Sequence, residues 1–225
     1  MKVYYEIMPA KNALKTYVEN SYYHLYNRGV NKGIIFVDEE DYKTFLFYLK
    51  IYLSPINLQG ESLKVAPSHT LKNYSERVKL HAYCLMPNHF HLLVFQKNPE
   101  DINFFMRSLA SKYSMYFNHK HKRVGPLFQG VYKGVLIDSE EQLLYLTKYI
   151  HRNPLGILPS GRVLEGYKYS SYGNYLNLFN QDWVNKEDIL GLFSKTEGAE
   201  SYKTFVEETD ERDLPTIKSV LIEEI

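Results

Sequence analysis

Between Leu80 and Phe95 the chain reads LHAYCLMPNHFHLLVF, two apolar runs joined by Pro87-Asn88. Apolar runs of this length on either side of a turn dipeptide predict a tight hairpin, with strands over 79–86 and 89–96. No other stretch restricts the fold as much. Strands this apolar need cover, and the segments around them supply helices.

The strand YYHLYNRGV, Tyr22 to Val30, comes first and is closed by Arg28-Gly29. Asp38 is a plausible N-cap for the next helix, in which Tyr42, Phe45, Leu46, Leu49 and Leu53 recur at helical spacing. After the hairpin, Ile102, Phe105, Met106, Leu109, Tyr113, Tyr116 and Phe117 predict a helix over about 100–118. A strand VYKGVLID follows, then a Ser139-x-x-Gln142 capping box opening a helix to about Arg152, which Pro154 stops. The order strand, helix, strand, strand, helix, strand, helix points to an α+β fold, a ferredoxin-like antiparallel sheet with helices packed on it. The chain divides into an N-terminal extension over 1–20, a domain over 21–180 and an acidic extension over 181–225. Residues 54–78, with scattered Pro, Gly, Ser and charge, are long for a compact-domain loop and read as a flexible insert.

The charge is divided unevenly. Residues 1–180 hold 22 Lys and Arg against 14 Asp and Glu, while 181–225 hold 5 against 12. A basic body suits a polyanionic partner, and the acidic segment reads as a solvated appendage. The single cysteine, Cys84, excludes an internal disulfide framework and sits in apolar company as a buried small hydrophobe. No apolar run approaches the ~20 residues needed to span a bilayer, and the N-terminus lacks the apolar core of a signal peptide. These features predict a cytoplasmic protein with no membrane contact.

His89 and His91 flank Phe90 at the start of the second hairpin strand. Side chains alternate across a strand, so the two imidazoles share a face and their nitrogens can converge on a divalent ion. Phe90, Leu92 and Val94 then face the opposite way, where a helix can cover them. Two ligands seldom hold an ion alone. YLTKYIHRNP offers a third, because Tyr149 and Asn153 lie four residues apart on one helical face. Tyr149 sits at the edge of the stripe formed by Leu143, Leu146 and Ile150, whereas Tyr113 and Tyr116 fall on the buried stripe of their own helix.

The ordered set YHLYNRG, LMPNHFHLLV, FMRSLASKYSMYFN, GPLFQGVYKG, YLTKYIHRNPLG and YKYSSY resembles the HUH (histidine–hydrophobic–histidine) single-strand transposases with one catalytic tyrosine. It is most similar to the IS200-like branch associated with repetitive extragenic palindromes. The resemblance runs from about Tyr22 to Tyr175. It implies His89 and His91 as metal-binding histidines, Tyr149 as nucleophile and Asn153 as the side chain completing the metal site. It also implies a ferredoxin-like sheet. The segments 54–78 and after 180 depart from the family core.

Such a site would use Mg²⁺ or Mn²⁺, which suit phosphate oxygens and an amide ligand. The chemistry expected is cleavage and rejoining of single-stranded or hairpin DNA through a 5′-phosphotyrosine, in the nucleoid of a prokaryotic cell. Lys112, Lys120, Lys122 and Arg123 are candidate phosphate contacts, and Arg28 and Asn31 candidate contacts to a flanking base or phosphate. A homodimer is compatible with these features. Two rivals stand beside this reading: a metal-dependent nuclease that uses water, and a non-catalytic nucleic-acid-binding ferredoxin-like domain.

Overall fold

The computed structural model describes residues 17–55, 72–161, 163–193, 198–208 and 213–218. The extension expected at 1–20 lies outside these residues up to position 16, and the insert expected at 54–78 does so over 56–71.

The elements follow the order read from the sequence: β1 (Ser21–Arg28), α1 (Glu39–Leu53), β2 (Val78–Met86), β3 (His89–Gln96), α2 (Asp101–Lys120), β4 (Lys133–Ile137) and α3 (Glu140–Arg152). The four strands form one sheet in the order β2-β3-β1-β4, each pair antiparallel. This is the ferredoxin-like arrangement of an α+β domain. Asp38 starts α1 through a complete capping box, its carboxylate accepting from the Asp41 N–H and the Asp41 side chain returning the contact. At α3 the expected box is half closed. Ser139 accepts from the Gln142 N–H, but the Gln142 side chain reaches the Asp138 N–H, just past the end of β4.

The alternation of side chains separates two faces. Leu25 is paired with Leu92 and Asn27 with Phe90, and this face meets α1 and α2. The Phe45 ring lies 5.3 Å from Phe90, and the Gln96 side chain accepts from the Ile102 N–H. The opposite face carries His24, Tyr26 and Arg28 beside Leu93, His91 and His89, and α3 covers it. With helices on both sides, the hairpin strands can be apolar along their whole length.

The free edge of β2 is also covered. Ser170 bridges Cys84, Leu85 donates to the Tyr169 carbonyl, Val184 bridges Leu80, and Trp183 stacks on Tyr83. An unpaired strand edge invites association, and this cover removes it. The segment after 180 is therefore more than the solvated appendage expected from its charge. In α4 (Gly198–Glu207), Tyr202 and Val206 are buried, while Arg152 of α3 donates to the carbonyls of Val206, Glu207 and Glu208. Net charge reports nothing about a few apolar residues spaced to dock on a helix. No described helix is long and apolar enough to cross a membrane.

Candidate active site

Pairing of β1 with β3 sets Arg28 opposite His89 and Tyr26 opposite His91. Both histidines are buried, His89 at 7% exposure and His91 at 0%. They lie beneath α3 rather than along an open cleft. Their rings stand nearly perpendicular, 5.0 Å apart, and Tyr149 meets His91 edge-on at 5.5 Å. Leu143, Leu146 and Ile150 anchor α3 in the core, which leaves Tyr149 half-buried at the stripe's edge. Asn153 caps the helix C-terminus, where its side-chain amide donates to the Tyr149 carbonyl at 3.1 Å.

Hydrogen bonds fix the polarity of each group. Asn88 donates through Nδ2 to the Lys32 carbonyl, so its Oδ1 is the atom 2.7 Å from His89 Nδ1. Burial holds His89 below the usual imidazole pKa, the contact with Asn153 opposes this, and the charge of Arg28 reinforces it. A neutral His89 has one N–H, and the 2.7 Å contact claims it for Nδ1 over the 3.4 Å contact of Nε2 with Asn153 Oδ1. Nε2 therefore presents a lone pair. Asn153 Oδ1 is an acceptor as well, because its amide group is engaged with Tyr149. His91 Nε2 is buried without a hydrogen-bond partner among the described residues, and its Nδ1 lies 2.9 Å from Nε2 of His24. Burial, then the neighbouring His24 and His89, keep His91 well below the ordinary imidazole range and hence neutral.

His89 Nε2, His91 Nε2 and Asn153 Oδ1 are thus three electron-pair donors on residues grouped near Tyr149, and they could hold a divalent cation. No cluster of three His, Cys, Asp or Glu exists among the described residues. The third donor is an amide oxygen, which suits a hard ion such as Mg²⁺ or Mn²⁺. Burial raises the Tyr149 phenol pKa, while the Asn153 side chain acts in the other direction. Without a nearby cation the phenol is protonated at neutral pH.

Asn88 and His24 escaped the sequence reading. Asn88 registers there only as a turn residue, and His24 as one more residue of an aromatic strand. Its relation to His91 depends on the β1–β3 register. The loop after β1 supports Asn88 from the other side. A side chain at Gly29 would meet the Gly33 carbonyl oxygen at 2.0 Å, so only glycine allows this tight return. Asn31 and Lys32 follow with left-handed backbone, φ 53° and 58°.

The proposed DNA contacts do not form one cluster. Arg28 sits at the site's rim, its Nε donating to Gln129 at 2.8 Å, and Asn31 is exposed in the adjacent loop. Lys112 is exposed on α2, across the sheet from Tyr149. Lys122 is exposed, whereas Arg123 bonds Asn118 and lies over the Phe117 ring. Lys120 departs from its expected role. Its ammonium is 2.6 Å from Asp38 and 3.0 Å from both Glu40 and Asp41. Three carboxylates hold it against the N-terminus of α1, and a phosphate would have to displace them.

Residues 59–153 match the family model described as Transposase IS200 like. No curated protein matches the chain. Among solved structures, a REP-associated tyrosine transposase bound to a REP hairpin is 13% identical, covering 82% of this chain and 92% of its own, with a TM-score of 0.50. That likeness is one of fold. A Deinococcus radiodurans protein provisionally assigned as a transposase is 18% identical, over 61% of this chain and 94% of its own, with a TM-score of 0.37. Over residues 59–153, a stretch that ends at Asn153, this chain is similar to the IS200-like transposases.

Proposed function

We propose that the chain cleaves and rejoins single-stranded, hairpin-forming DNA through a covalent link to Tyr149. The observation carrying this reading is the 3.4 Å approach of His89 Nε2 to Asn153 Oδ1, with the His91 ring set between the rings of His89 and Tyr149 at 5.0 and 5.5 Å. A divalent ion held there would withdraw charge from a scissile phosphate and favour the phenolate form of a nearby tyrosine.

The residues then have distinct tasks. Tyr149 loses its phenolic proton and its oxygen attacks phosphorus. The bond to the 3′-oxygen breaks, and that oxygen leaves as a 3′-hydroxyl after taking up a proton. The product is a 5′-phosphotyrosine that retains the energy of a phosphodiester, so a later 3′-hydroxyl can reverse the step and join strands. Arg28, at the rim, suits a phosphate of the same strand. Burial of the histidines excludes water that would compete for the intermediate. The fold's likeness to a transposase bound to a hairpin supports hairpin DNA as the substrate form. We place this reaction in the cytoplasm.

Labelled hairpin DNA incubated with protein and Mg²⁺, then run on a denaturing gel, tests the reading. A protein-linked DNA band is expected. Cleavage without the band would favour the water-using nuclease, and neither product would favour a binding domain.

A further inference from the structure

We propose that His24 is the positioning residue that makes His91 a metal ligand, by accepting the proton on His91 Nδ1. This rests on the reading of His89, His91 and Asn153 as a metal site. His24 lies in the middle of β1, opposite Leu93 in register, and is fully buried on the face that carries His91. Its Nε2 is 2.9 Å from His91 Nδ1, with the two rings within 18° of parallel.

A single proton lies between these two nitrogens, and either ring can hold it. If His24 holds it, the proton of a neutral His91 sits on Nε2, on the atom that would face the ion, and binding is blocked. If His91 holds it, Nε2 carries a lone pair, and that is the buried nitrogen without a hydrogen-bond partner among the described residues. Metal-binding histidines commonly donate their other N–H to a carboxylate or carbonyl, which fixes tautomer and ring orientation. Here a neutral imidazole takes that place. It sets the tautomer without adding negative charge next to a site that must accept a phosphodiester. His24 touches neither DNA nor the reacting atoms, and it acts through His91.

Calorimetric titration of the metal-free full chain with Mn²⁺ tests this. His24→Phe keeps a buried ring but cannot accept the proton, and its Mn²⁺ affinity should fall about 10–100-fold. His24→Gln offers an acceptor oxygen and should recover most of the loss, which a packing role would not produce. In ¹⁵N spectra of the Mg²⁺-loaded parent, His91 should carry its proton on Nδ1, coupled across the hydrogen bond to His24. Parental affinity in a folded His24→Phe protein overturns the proposal, as does a His91 Nδ1 without a proton. Should His24→Phe fail to fold, the glutamine variant and the spectra decide. A parent that binds no Mn²⁺ removes the metal site itself, an outcome distinct from a failure of His24 alone.

Discussion

His89 Nε2 and Asn153 Oδ1 face each other at 3.4 Å, lone pair toward lone pair, because each residue's own N–H is engaged elsewhere. Two acceptors held together in a half-buried place repel one another unless a cation bridges them. Mn²⁺ at 100 times its Kd should therefore stabilise the fold by about 2.7 kcal/mol, the mass-action value for a ligand that binds only the native state. Urea denaturation with and without the ion measures it. His89→Ala/His91→Ala lowers the baseline, since both rings are buried, but the quantity that counts is the increment, which should disappear. An unchanged increment in the double variant would sink the ligand assignment.

The nucleophile is tested by removing one oxygen. Tyr149→Phe keeps the ring against His91, so stability should change by no more than about one hydrogen bond, ~0.5–1.5 kcal/mol. The covalent DNA adduct should vanish. Tyr113→Phe, Tyr116→Phe and Tyr145→Phe should retain it. Tyr113 donates to the Ile35 carbonyl, Tyr116 bonds Asp41, and the buried Tyr145 ring packs on Phe205. An adduct that survives in Tyr149→Phe reassigns the nucleophile.

Lys120 and Lys122 should separate stability from DNA binding. Burial pushes the Asp41 carboxyl up in pKa, but the Val37 N–H, His121 and Lys120 together hold it below the usual range. Lys120→Ala weakens that cage, so Tm should fall while DNA affinity and its salt dependence stay the same. Lys122→Ala should leave Tm alone and lower the log–log salt slope of DNA binding by roughly 0.7–0.9, one phosphate contact. Band-shift titrations at several salt concentrations read the slope. The reverse pattern would return Lys120 to the DNA path.

Acid should destabilise the protein through buried neutral histidines. His151 is fully buried between Tyr202 and Ser171, and burial lowers its pKa to about 3. Burial likewise lowers His81 to about 4, against the pull of Asp188. The unfolded chain takes up these protons near pH ~6.5. Between that pH and the folded pKa the unfolded state binds more protons, so the stability is complete above about 6.5 and is lost as pH falls. Each group contributes up to ~1.4 kcal/mol per pH unit. His151→Leu should lower stability at pH 8, because Tyr202 and Ser171 lose a partner, yet flatten the loss between pH 6.5 and 4. Parallel pH profiles for parent and variant would show that His151 does not titrate this way.

Much of this protein is determined by local sequence. Alternation and Pro87-Asn88 specify the hairpin, Asp38 and Ser139 mark where helices begin, and His-x-His forces two imidazoles onto one face. The Tyr149–Asn153 spacing likewise needs only the helical period. These are short-range consequences of backbone geometry, and the strand and helix order follows from them. Tertiary structure decided what depends on register and docking. Only the β1–β3 pairing brings His24 to His91. Only the return of the Gly29–Gly33 loop brings the Lys32 carbonyl to Asn88 and thereby fixes the polarity of His89. Lys120 looks like a phosphate contact in a basic run until the N-terminus of α1 is placed beside it, and the acidic segment looks solvated until Tyr202 reaches His151. In each case the deciding partner is dozens of residues away, and a side chain's charge or ring says nothing about which distant group will complete it.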